Sequence, residues 1–183
     1  MIPMTFKETA QAVGSVSVLE GSYDCICTDT RKITPGCLFI AIKGENFDGH
    51  DFAKKAVESG AKAVLCEKDC GLGDSQIVVK DTRLALLDLA GHYRSKFDIP
   101  VIGITGSVGK TTTKEMTHAV MSSKYNTLKN EGNLNNEIGV PLTLFRLDET
   151  HEAAVIEMGM SGFDEISRMT KAVRPDVAII SNI

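Results

Sequence analysis

The residues richest in chemistry form one run, Gly106-Ser107-Val108-Gly109-Lys110-Thr111-Thr112. An apolar stretch, Val101-Ile-Gly-Ile104, leads into it and a helical pattern follows. Glycines let backbone N–H groups close around phosphate oxygens, and a helix N-terminus adds a potential that favours an anion. Lys110 would reach the outer phosphates of a nucleotide, and the Thr111 hydroxyl would complete a Mg²⁺ shell. The general nucleotide-binding loop carries glycine five positions before Gly109, where this chain has Ile104, so the loop is a shortened form. The competing reading is a plain helix-capping loop. The order of strand, glycine-rich turn, Gly-Lys-Thr and helix favours phosphate.

A carboxylate belongs with such a loop. Ala154-Val-Ile-Glu157-Met-Gly159 is an apolar strand ending in one. In a parallel sheet the strand C-termini share an edge, which makes Glu157 a candidate metal ligand rather than a solvated loop residue. Between these motifs lies Asn130-Glu-Gly-Asn133-Leu-Asn135-Asn136. Its asparagines serve equally well as turn formers or as amide donors and acceptors for a polar substrate, and spacing alone leaves both open.

The elements that position these groups are legible from periodicity. Thr5 and Glu8 form a capping box that opens a helix to about residue 13. Strands are expected at 23–28 and 38–42 around a Thr34-Pro35-Gly36 turn, then a helix at 51–59 capped by Gly60, then short strands at 63–67 and 76–80. Beyond residue 80 the pattern changes. Helices are expected at 81–97, 110–123, 138–147 and 164–173, alternating with strands at 100–104, 125–128, 153–157 and 176–181. Alternation of this kind implies a parallel sheet. The fold class is therefore α/β: a small mixed α/β domain over 1–80, then part of a parallel-sheet nucleotide-binding domain over 81–183, incomplete at its C-terminus. The last strand reads as a central one, so the chain is expected to be a portion of a longer protein.

Composition narrows the partners. Of 183 residues, 20 are basic and 24 acidic, a net charge of −4, and mean hydropathy is −0.01. Neither half is basic, which argues against nucleic acid or an anionic membrane surface. No signal-like N-terminus or membrane-length apolar run is visible, and five cysteines is an odd number, so reduced thiols in a cytoplasmic protein are expected. Cys25-Ile-Cys27 and Cys66-x₃-Cys70 match no usual zinc spacing and read as small buried apolar residues.

Thr105 to Thr112 resembles the phosphate loop of the Mur ligase family, which includes folylpolyglutamate synthetase; Ile104 fits that family's own form of the loop. The stretch 132–144, Gly-Asn-Leu-Asn-Asn-Glu-Ile-Gly-Val-Pro-Leu-Thr-Leu, is similar to the branch that joins D-alanyl-D-alanine to a UDP-N-acetylmuramoyl-tripeptide. Glu157-Met-Gly159 resembles the family's acidic metal-binding strand end. Asp29-Thr30-Arg31, Pro35-Gly36, Phe39-Ile-Ala-Ile-Lys43-Gly44 and Phe47-Asp-Gly-His50 resemble its UDP-sugar domain.

The resemblance implies an ATP-dependent carboxylate–amine ligase of peptidoglycan synthesis, working through an acyl phosphate. ATP would be bound by Gly106, Ser107, Val108, Gly109, Lys110, Thr111 and Thr112. Mg²⁺ would be held by Thr111 and Glu157, with Lys110 and Glu157 catalytic. The substrate would be bound by Asp29, Thr30, Arg31, Lys43, Gly44 and His50, and by Asn133, Asn135 and Asn136. Residues alone would make Arg31 a surface arginine. The resemblance further implies three domains, of which this chain would carry the first and part of the second, inactive alone. A monomer is expected for the full-length protein. The alternatives are another Mur-type or folylpolyglutamate-type ligase, or a stand-alone UDP-sugar-binding module.

Overall fold

The computed structural model describes residues 1–44 and 46–183. The chain divides into two compact units, Met1–Leu89 and Ala90–Ile183.

The first unit begins with β1 (Met4–Thr5) and α1 (Phe6–Ala12). The capping box is present: Thr5 Oγ1 accepts from Glu8 N at 3.1 Å and Thr5 N donates to Glu8 Oε2 at 2.8 Å. The expected strand at 23–28 is instead two short pieces in different sheets, β2 (Ser22–Tyr23) and β3 (Ile26–Cys27). The break follows from packing. β2 pairs antiparallel with β1, which buries Tyr23 with its ring 5.3 Å from that of Phe6, whereas β3 pairs parallel with the next strand.

That strand is β4 (Leu38–Ile40), followed by α2 (Ala53–Glu58), β5 (Ala63–Cys66) and β6 (Gln76–Val78), giving a parallel sheet in the order β3-β4-β5-β6. A short 3₁₀ turn, Gly49–Phe52, takes the first part of the helix expected from residue 51. Gly60, at φ +106°, ends α2 in a Schellman motif: Ala61 N donates to Ala56 O at 3.0 Å and Gly60 N to Val57 O at 2.9 Å. Helix α3 (Thr82–Arg94) starts where Asp81 Oδ1 accepts from Arg83 N and Leu84 N, and the division between units falls within it.

The five cysteines gather in the first unit's core. Cys27, Cys37 and Cys66 are buried, and Cys25 and Cys70 pack against the same cluster. All are free thiols, and among the described residues no group of three or more His, Cys, Asp or Glu could hold a metal. Burial pushes the Cys37 thiol up to about 11 and Cys66 to about 12.

The second unit contains β7 (Val101–Thr105), α4 (Lys110–Ser122), β8 (Thr127–Lys129), α5 (Gly139–Leu144), β9 (Ala153–Glu157), α6 (Glu165–Val173) and β10 (Val177–Ile180). Its sheet is parallel throughout, in the order β10-β7-β9-β8. All five residues of β9 are buried, as an apolar run in a covered parallel sheet requires. Tyr93 anchors the core: its hydroxyl donates to Leu147 O at 2.6 Å and its ring meets Phe97 and Phe145. β10, expected as a central strand, pairs only with β7 and lies at the sheet edge among the described residues, with Val177 and Ile180 exposed. No helix among the described residues is long and apolar enough to cross a membrane.

Candidate nucleotide and substrate sites

The register of β7 against β9 sets Ile104 beside Glu157, so the glycine loop and the carboxylate leave the sheet at one point. Two glycines shape the loop for different reasons. Gly109, at φ +84°, is the N-cap of α4 and offers no side-chain cap, so the first-turn N–H groups of a 13-residue helix face outward. Gly106, at φ +140°, lies so near the chain after β10 that a Cβ there would meet Ser181 Oγ at 2.4 Å. That chain braces the loop. Ser107 N and Oγ donate to Asn182 O (3.0 Å) and Oδ1 (2.7 Å), and Ser181 Oγ donates to Val108 O at 2.6 Å.

Lys110 Nζ donates to Gly106 O at 2.8 Å and Ser107 O at 3.4 Å, which holds its ammonium over the loop. Ser107, Val108, Thr111 and Thr112 are exposed on the loop and first turn. Glu157 is 1% exposed. Its two oxygens differ sharply. Oε1 accepts from Thr111 Oγ1 at 3.2 Å and from Asn135 Nδ2 at 2.8 Å. Oε2 is buried and accepts no hydrogen bond. An orphaned anionic oxygen beside a threonine hydroxyl suits a hard divalent cation, and Mg²⁺ commonly takes one or two protein oxygens and fills its shell from phosphate and water.

The three asparagines expected at the substrate have separate fates. Asn135 converges on Glu157. Asn136 Oδ1 accepts from Ile138 N and Gly139 N, so it caps the entry to α5, which is the turn-forming reading. Asn133 is exposed. Asn130 stood in the sequence only among asparagines open to either role, and Lys114 escaped sequence reasoning. Asn130, 1% exposed, donates through Nδ2 to Leu134 O and Glu157 O and accepts Glu157 N at 2.7 Å. Lys114, also 1% exposed, has Nζ 3.6 Å from Glu157 Oε2. The available signal for Lys114 was its place one helical turn after Lys110 on the same face.

In the first unit, Asp29, Thr30 and Arg31 line a cavity of about 530 Å³ together with Phe39, Phe47, Phe52 and Lys55. Arg31 is paired to Asp29 through Nε (2.9 Å) and Nη2 (2.7 Å), with its side chain 87% exposed. Hydrogen bonds from Arg31 hold the Asp29 carboxyl down at about 2. Lys43 and Gly44 do not line this cavity, and Lys43 contributes its carbonyl to Arg83 Nη2. His50, expected at the substrate, is instead buried with both ring nitrogens engaged: Nε2 accepts from Glu67 N at 2.8 Å and Nδ1 meets Asp48 Oδ1. The acceptor role of Nε2 puts the proton on Nδ1, so this histidine ties the β5 end to the 48–50 turn and has no donor left for a ligand.

Residues 22–94 match the family described as Mur ligase family, catalytic domain, and residues 104–183 match the Mur ligase middle domain. The chain is 45% identical over 184 residues to UDP-N-acetylmuramoyl-tripeptide--D-alanyl-D-alanine ligase of Escherichia coli, covering 100% of this chain and 41% of that protein. It is 43% identical over 194 residues to the ligase of the same name from Bacillus subtilis, covering 100% and 42%. Among solved structures it resembles MurF from Acinetobacter baumannii (39% identity, TM-score 0.91, 97% of this chain and 40% of that one). It also resembles MurF ligase from Thermotoga maritima in complex with ADP (35% identity, TM-score 0.81, 86% and 37%). The chain thus spans about two fifths of the length of these relatives. Two matched domains, a fold shared at high TM-score and a glycine loop set against a buried glutamate agree: this chain belongs to the Mur ligase family.

Proposed function

We propose that the chain is the UDP-substrate and nucleotide-binding part of an ATP-dependent ligase that adds D-alanyl-D-alanine to a UDP-N-acetylmuramoyl-tripeptide. The observation that carries this reading is the meeting of Thr111, Asn135 and Glu157 at the end of the glycine loop. The names of the relatives support the choice of substrates.

A carboxylate is a poor electrophile, so the γ-phosphoryl group of ATP is first transferred to it. The C–N bond then forms when the amine of D-alanyl-D-alanine attacks the acyl carbon and the C–O bond to phosphate breaks. Phosphoryl transfer needs placement and charge neutralisation more than covalent help. Lys110 and the N–H groups at the start of α4 bind the phosphates, and Gly106 lets Ser181 and Asn182 brace the loop that holds them. Mg²⁺ held by Thr111 and Glu157 would neutralise charge on the transferring group. Asn135 orients Glu157 and faces the substrate from the 130–136 loop. Asp29, Thr30 and Arg31, at their cavity, take the UDP end. The reaction consumes ATP, and we assign it to the cytoplasm.

Two measurements test this. A fluorescent ADP analogue titrated into this chain should bind more tightly with Mg²⁺, and Glu157→Gln should reduce that Mg²⁺ dependence at least about tenfold. The full-length protein carrying this chain should ligate the dipeptide D-alanyl-D-alanine in preference to single amino acids. Ligation of glutamate or another single amino acid, with the dipeptide rejected, would overturn the reading.

A further inference from the structure

Lys114 sits in an unusual place for a lysine. It is 1% exposed and among the largest fully buried side chains in the chain. A buried ammonium is costly without partners. Lys114 Nζ has three: Asn130 O at 3.2 Å, Glu115 Oε1 at 3.3 Å and Glu157 Oε2 at 3.6 Å. Glu115 is half exposed and is also paired with Lys129. Of the two carboxylates, only Glu157 is as buried as Lys114 itself. In the weakly screened interior that pair dominates.

The distance matters as much as the charge. At 3.6 Å the ammonium stands beyond hydrogen-bond reach of Oε2, which accepts no hydrogen bond, while Oε1 takes two. Oε2 therefore has its charge balanced and its lone pairs open. We propose that Lys114 is the standing counter-charge of Glu157, a positioning residue that lets the carboxylate be buried with no cation present and opposes the divalent cation that Oε2 receives. The second half of this role rests on the metal reading of Glu157 given above; the first half does not.

The test is a double-mutant cycle with two readouts. In metal-free protein, Lys114→Met should lower Tm by roughly 10 °C by stranding a buried charge, and adding Glu157→Gln should restore most of the loss. A double variant no more stable than Lys114→Met would overturn the pairing. Should Lys114→Met alone fail to fold, folding of the double variant supports the pairing and its failure overturns it. The second readout is the Mg²⁺ concentration that half-saturates the effect on binding of a fluorescent ADP analogue. It should fall at least about tenfold in Lys114→Met, because a positive charge near the cation has been removed. An unchanged or higher value would overturn the opposing role. If neither protein responds to Mg²⁺ while the stability cycle shows coupling, the metal reading fails and the counter-charge role stands.

Discussion

Asn130→Ala should do more damage than any single exposed residue of the loop. The side chain makes three hydrogen bonds, two buried, Nδ2 to Glu157 O at 3.2 Å and Oδ1 from Glu157 N at 2.7 Å, and one partly buried, Nδ2 to Leu134 O at 2.6 Å. Alanine leaves one buried N–H and two carbonyls without these partners. An orphaned buried polar group costs about 1–3 kcal/mol, with carbonyls toward the low end, so the total is about 3–4 kcal/mol. At about 2–4 °C per kcal/mol this is a fall in Tm of roughly 10 °C. Asn130→Asp keeps the shape but turns the Nδ2 end from donor to acceptor, and should rescue little. The assay is urea unfolding paired with hydrogen exchange at the Glu157 amide, where a 3 kcal/mol loss corresponds to about 10²-fold faster exchange. A loss under about 1 kcal/mol with Glu157 protection unchanged would refute the placement of Asn130 as the clasp between the β8 end and the β9 end.

Lys110→Ala should leave the circular dichroism spectrum intact and weaken ADP binding by about 10²-fold, through loss of a charge-assisted phosphate contact; wild-type affinity would remove Lys110 from the site. The Asp29 carboxyl has a folded-state pKa of about 2, below its ordinary 3.8, so its favourable contact with Arg31 is present above 3.8 and is lost as pH falls through about 2. An NMR titration should show this midpoint, and Arg31→Ala should move it up toward the ordinary value. Maleimide labelling of the native chain at pH 7 should modify Cys25 and Cys70 first, because Cys37 and Cys66 are buried with thiols raised to about 11 and about 12; equal rates at all five would contradict the packing.

Much of this was written in local sequence. The capping box at Thr5, the Gly60 helix end, the glycine loop before Lys110 and the strand ending at Glu157 depend on residues within a few positions of one another. Short-range sterics and hydrogen bonding decide such features, so spacing alone reveals them. Tertiary structure decided the rest. A strand that looked continuous at 23–28 was divided because its two halves pair with different partners, and no local signal encodes which. His50, read in the sequence as a substrate residue, has both ring nitrogens engaged by Asp48 and Glu67, the latter from 17 residues away. Asn136 and Asn135 are adjacent in sequence, yet one caps a helix and the other bonds Glu157, a division set by the direction in which the backbone turns. Lys114 and Asn130 gained their roles only when parallel pairing of β8, β7 and β9 brought three strand ends to one edge. Their significance comes from burial beside a carboxylate far along the chain, and burial is a property of the folded molecule that a string of residues does not carry.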